Sequence, residues 1–162
     1  MRTALALAVL LLGTLPLQAA DRDRLVGIWL FEKEVDLRAD GSSAPAGASA
    51  PAYDGILTYT ADGYVSAVIM PKGRTWDADK ATIEEFRDTV SNGTAYAGRY
   101  ELDESKHTVT HIPRVSLEPY YEGKRLVRNY ALDGDTLKVS GTFEYQGEAI
   151  RFEIRWRRAG VR

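Results

Sequence analysis

From Leu25 onward, apolar and polar residues alternate in short runs broken by turn chemistry, a pattern of strands and not of long helices. The last run is the clearest. Ile150, Phe152, Ile154 and Trp156 fall on one face, with Arg151, Glu153, Arg155 and Arg157 on the other. One dry face and one wet face is what a half-buried antiparallel strand requires. Seven further strand-like runs precede it: Gly27 to Leu37, Ile56 to Thr60, Tyr64 to Met70, Thr94 to Leu102, Thr108 to Ile112, Leu126 to Leu132 and Thr136 to Tyr145. Tight turns join most of them, among them Ala61-Asp62-Gly63, Asp133-Gly134-Asp135 and Gln146-Gly147. Eight strands joined this way form a meander. Closing it removes both exposed edges, so the pattern predicts an eight-stranded antiparallel β-barrel. A barrel of that size is either filled by its own side chains or holds one small ligand.

One segment departs from the period of two. Between Asp79 and Asn92, the residues Ile83, Phe86 and Val90 recur at helical spacing, and Thr82 with Glu85 forms a capping box. The spacing predicts one short helix between the third and fourth strands, with its apolar stripe on the barrel and Asn92-Gly93 ending it. Residues 38 to 53 read as a loop rich in Ala, Ser, Gly and Pro.

The first twenty residues are a different material. Arg2 precedes an unbroken apolar run from Ala4 to Leu12, and Leu17-Gln18-Ala19-Ala20 ends in small residues. That is the pattern of a secretory signal peptide, cleaved after Ala19 or Ala20. The run is too short to span a bilayer, which needs about 20 apolar residues. The expected division is a signal over 1–20 and one domain over 21–162, periplasmic or secreted, with no transmembrane segment in the mature chain. Removing the signal takes away Arg2 and leaves 20 basic against 23 acidic residues, a balance of −3. So small a charge points away from nucleic acid as a partner. The absence of cysteine removes thiol catalysis and cysteine-based zinc sites, and it leaves no site for a bacterial lipid anchor.

Several segments carry a family resemblance: Gly27-Ile28-Trp29 on the first strand, the string from Leu57 through Tyr-Thr-Ala-Asp-Gly to Ala67, Tyr96-Ala97-Gly98-Arg99-Tyr100, Thr108-Val109-Thr110-His111, and Val127 to Asp135. Together these resemble the bacterial and fungal lipocalin-like domain family, in the same order and over nearly the whole mature chain. The resemblance implies a barrel closed at one end by Trp29 with a late-strand arginine stacked across it. Arg157 is the candidate for that partner, and Arg155 is equally placed. The chain departs from typical lipocalins in lacking a disulfide and in its long Ala/Ser/Pro loop.

Candidate chemistry is sparse. There is no Gly-x-Ser-x-Gly elbow, no His-Glu-x-x-His and no phosphate-cradling glycine loop. Neither a cofactor nor a metal is expected, and no catalytic residue is nominated. His107 and His111 lie on a strand, which separates them by roughly 13 Å, too far to share a zinc ion. His107 reads as a surface residue beside a turn. His111 shares the face of Val109 and is either a ligand contact or a hydrogen-bonded core histidine. Arg128 shares the face of Leu126, Tyr130 and Leu132. Three readings of it stay open: it meets a ligand carboxylate, it pairs with an internal Glu or Asp, or the strand takes the opposite phase. Tyr64, Tyr96, Tyr100 and Tyr130 on the strands, with Trp76 and Phe86 on the lid, complete a candidate aromatic lining that core packing would explain equally well. Gly98 leaves room between Tyr96 and Tyr100. These features suggest a binder of a small hydrophobic or amphipathic molecule, acids among the candidates. An isomerase- or cyclase-type enzyme using the same cavity without a cofactor is the alternative, and a filled barrel acting through its surface is a third reading.

Overall fold

The computed structural model describes residues 20–44, 52–75 and 79–160. The segment expected to be a signal, apart from Ala20, and Trp76 lie outside them. Eight antiparallel strands follow one another around a closed barrel, each bonded to its sequence neighbours and the last to the first. They are β1 (Gly27–Leu37), β2 (Tyr53–Tyr59), β3 (Tyr64–Pro71), β4 (Thr94–Asp103), β5 (Thr108–Ser116), β6 (Leu126–Asp133), β7 (Thr136–Tyr145) and β8 (Glu148–Arg158). The meander expected from the alternation is therefore present strand for strand. Two short elements escaped the pattern, a helix α1 (Asp21–Leu25) and a 3₁₀ turn at Pro119–Tyr121.

The predicted helix is α2 (Ile83–Ser91). Its capping box forms as read: the Thr82 amide donates to Glu85 Oε2 at 2.8 Å, and the Glu85 amide donates to Thr82 Oγ1 at 3.2 Å. Its stripe does not cover the barrel, contrary to expectation. Ile83 is 79% exposed and Phe86 53%. Spacing tells which residues share a helix face but not what lies opposite that face.

Paired residues on antiparallel strands point to the same side, so the register sorts inside from outside. Leu57, Ala67, Tyr100, Val109, Tyr130, Val139, Ile154 and Trp156 are all buried and belong to one core. One end of the barrel is closed by α1 and Trp29. The Trp29 indole N–H donates to the Leu25 carbonyl at 2.9 Å, and both residues are fully buried. The guanidinium of Arg158 lies 4.1 Å from the Trp29 ring centroid and donates to the carbonyls of Arg24 and Val26. The stacked cation is thus Arg158 and not Arg157. Arg158 pairs with Trp29 and shares the inner face of Trp156, whereas Arg157 pairs with Leu30 on the outer face and meets Glu32 at 3.4 Å. Gly27 makes room for this closure. Its φ of 139° lies outside the usual range for other residues, and a Cβ there would stand 2.8 Å from the Arg158 guanidinium.

Strand β1 carries one irregularity that decides what lines the interior. Its register against β8 shifts between Phe31 and Lys33, which leaves Glu32 as the extra residue of a β-bulge. On the outside Glu32 holds both Arg155, at 2.9 Å, and Arg157. Beyond the bulge the phase of β1 is reversed: Glu34 pairs with Ile154 and Asp36 with Phe152, both on the inner face. Without the bulge, Lys33 and Val35 would point inward instead.

Candidate functional site

The interior beyond the Trp29 closure combines an aromatic–histidine cluster, an arginine and two carboxylates. His111 is fully buried and hydrogen-bonded through both ring nitrogens, Nε2 to the Tyr59 hydroxyl and Nδ1 to the Tyr96 hydroxyl, each at 2.7 Å. Burial, reinforced by the Arg128 charge, lowers its pKa to about 3, so the imidazole is neutral at physiological pH. A neutral ring has one donor and one acceptor nitrogen. Tyr59 is 1% exposed and its hydroxyl has His111 as its partner, so its proton belongs on the bond to Nε2. Nδ1 then carries the ring proton and donates to Tyr96, which leaves the Tyr96 hydroxyl proton free to donate into the interior. Burial raises the pKa of both tyrosines, which keeps them as donors.

Arg128 faces inward with Leu126 and Tyr130, so of the two phases left open the strand takes the one that brings it inside. It is paired with Val109, a core residue, and its guanidinium lies 4.9 Å from the Phe152 ring centroid. Its charge reaches Tyr59, Tyr96, His111 and Tyr121. Gly141 on the intervening strand gives the side chain its path, since a Cβ there would stand 2.8 Å from Phe152 and 3.1 Å from Arg128 Cδ. No carboxylate of the described residues lies within ion-pair distance of Arg128; its one hydrogen bond, at 3.4 Å, goes to the Val127 carbonyl.

Glu34 and Asp36 stand on the neighbouring sector of the wall, with Tyr53 beside them. Burial, and then the Asp36 charge, raises the Glu34 carboxyl to about 7. Glu34 is nonetheless accessible to solvent, which places it on an open interior surface and not in packed core. Asp36 is 8% exposed, and burial raises its pKa as well. Its Oδ1 and the indole nitrogen of Trp156 are buried without a hydrogen-bond partner among the described residues.

The sequence candidates thus divide. Tyr96, His111 and Arg128 come together inside. Tyr100 and Tyr130 are buried but serve the closed end: Tyr100 donates to the Thr60 carbonyl at 3.0 Å and Tyr130 to Asp21 Oδ2 at 2.9 Å. Tyr64 is corrected to the outer face, where it is 49% exposed and its ring lies 4.5 Å from the Arg99 guanidinium. The space at Gly98 is also not ligand space. A Cβ there would meet the Ile112 carbonyl at 2.0 Å, so the glycine admits strand β5 at a bulge. Phe86 lies on α2 and is exposed. His107 is a surface residue beside its turn. Sequence reasoning missed Tyr59, Tyr121, Glu34 and Asp36. Tyr59 was within reach, because it shares the face of Leu57 by alternation.

A concavity lies at the closed end, outside the barrel. It is a crevice of about 630 Å³ between α1 and β6, lined by residues including Asp21, Glu104, His107 and Leu132. It is wide open and none of its groups is left unpaired in the way Arg128 is.

An eight-stranded up-and-down barrel, closed at one end by a tryptophan–arginine stack and apolar within apart from a few polar groups, defines the class of fold. The chain belongs to the lipocalin-like domain family, whose model matches residues 26–159. No curated protein and no solved structure matches the chain. Among the described residues no helix is long and apolar enough to cross a membrane.

Proposed function

We propose that this protein is an exported binder of a small amphipathic acid, held inside the barrel with its carboxylate on Arg128. The observation that carries the reading is the guanidinium itself: it faces inward, stacked on Phe152, with no carboxylate at ion-pair distance. A half-buried cation on an inner face favours a counter-charge, and a carboxylate meets a guanidinium through two parallel hydrogen bonds. The Tyr96 hydroxyl, freed to donate by its bond from His111, supplies a further donor beside it. Phe31 and Phe143, only partly buried against the core, offer apolar surface for the rest of such a molecule. Export rests on the signal-like pattern of residues 1–20, and the expected place is the periplasm or the extracellular medium.

The same geometry weighs against the isomerase or cyclase alternative. A histidine bonded at both nitrogens and neutral down to about pH 3 is a poor base, so His111 positions Tyr96 in place of moving protons. The test is calorimetric titration of octanoate into the mature protein and into Arg128→Met. The variant is expected to bind at least about tenfold more weakly, the loss of a charge-assisted pair, with an unchanged far-UV spectrum. Equal affinity in the two proteins refutes the role of Arg128.

A further inference from the structure

We infer that Glu34 and Asp36 form a second subsite of the same interior, one that takes a cationic group, so that the ligand is bipolar: a carboxylate at one end and an ammonium at the other. The inference rests on the proposed anion site at Arg128 and deepens it.

Three observations support it. First, the bulge at Glu32 turns both carboxylates inward, and bulges commonly re-aim side chains next to binding sites. Second, Asp36 is more than nine-tenths buried, and its Oδ1 has no hydrogen-bond partner among the described residues. A buried carboxylate oxygen left unpaired is costly and calls for a donor that arrives from outside. Third, the two charge centres are set apart along the wall. Arg128, Gly141, Phe152 and Asp36 follow one another on β6, β7, β8 and β1. At about 4.8 Å per strand, the backbones of Arg128 and Asp36 lie roughly 14 Å apart along the wall, with the Phe152 ring between them. A molecule lying over that ring meets the cation at one end and the carboxylates at the other.

The ligating set favours an organic cation. The described residues contain no group of three or more His, Asp or Glu placed to hold a metal ion. The groups facing Glu34 are Asp36 on its own strand and Tyr53 on β2, while β8 presents only Ile154 and Phe152. With Glu34 titrating near 7, the empty pair is spared a full double charge, and an arriving ammonium stabilises both ionised forms. Amine affinity therefore rises with pH through neutrality.

The experiment compares ω-aminooctanoate, octanoate and octylamine by calorimetry on the mature protein, on the double variant Glu34→Gln/Asp36→Asn, and on Arg128→Met. The wild type is expected to bind ω-aminooctanoate at least about tenfold more tightly than octanoate. The double variant loses that margin and keeps its octanoate affinity. Octylamine binding is lost in the double variant and survives Arg128→Met. No preference for the amino acid in the wild type, or a preference that persists in the double variant, overturns the inference while leaving the anion site standing. Octanoate affinity indifferent to Arg128→Met overturns the anion site instead, and the octylamine arm then decides the second subsite alone. Should the double variant not fold, wild-type octylamine affinity read from about pH 5 to about pH 8 decides: a rise supports the subsite and a flat profile overturns it.

Discussion

Glu34 pairs with Ile154 across the β1–β8 ladder, and that one register position puts a carboxylate on the inside of an otherwise greasy wall. The pairing follows from the extra residue at Glu32. It explains how one strand seals the barrel with Trp29 and also lines its interior with acids.

The position has a consequence for stability. An unfolded glutamate ionises near 4.5, whereas Glu34 in the folded protein holds its proton to about 7. As pH rises between those values the unfolded chain gains from ionisation first, so Glu34 subtracts stability, and the effect is complete above about 7. Glu34→Gln has no such proton. Its stability relative to wild type should therefore increase from pH 4.5 to 7 and then stay level, as urea unfolding at several pH values would measure. Glu34 is accessible to solvent, so the gain is smaller than full burial would give. A difference independent of pH would show that the side chain is fully hydrated.

The two adjacent arginines at the end of β8 should behave differently. Arg158→Met removes the stack on Trp29 and leaves the Arg24 and Val26 carbonyls without their donor, a loss of about 1–3 kcal/mol. Arg157→Met loosens an exposed contact with Glu32 and should cost under about 1 kcal/mol. Thermal unfolding of the two variants side by side checks the assignment; equal losses would contradict it.

His111 should be visible as a fixed tautomer. Nitrogen-15 spectra of the ring are expected to show a protonated Nδ1 and a bare Nε2, unchanged from pH 8 down to about 4, because burial holds its pKa near 3. Tyr96→Phe removes the acceptor for Nδ1–H and should free the ring to exchange tautomers, whereas Tyr59→Phe removes the donor to Nε2. The opposite tautomer would reverse the direction of the chain and take the free donor away from Tyr96.

The architecture was legible because alternation and turn chemistry are local. Ile150 to Trp156, the Ala61-Asp62-Gly63 turn and the Thr82–Glu85 cap all formed as their spacing required. For His111 and Arg128 parity narrowed the readings, and the hydrogen bonds of His111 and the pairing of Arg128 with Val109 decide them. Parity failed where the answer depends on a partner. Tyr64 and Val65 both begin a plausible inner face, and only the pairing of Tyr64 with Arg99 outside decides between them. Arg157 and Arg155 both lie on the face opposite Trp156, whereas a period of two puts Arg158 on the face of Trp156, where the ladder pairs it with Trp29. Glu34 and Asp36 were hidden because a bulge leaves no mark in composition. A strict alternation through Glu32 places them outside, and only the ladder with β8 shows the change of phase. The resting place of α2 was equally beyond reach, since its stripe names no partner.

Binding of an acid inside the barrel at Arg128 is the central claim. The direct measurement is chemical-shift mapping of octanoate on the labelled mature protein, following the Arg128 side-chain Nε–H and the Tyr96, His111 and Phe152 rings. The predicted result is saturable perturbation of those groups, with the crevice residues Asp21, His107 and Leu132 unmoved. Perturbation confined to that crevice, with the Arg128 signal still, would contradict it.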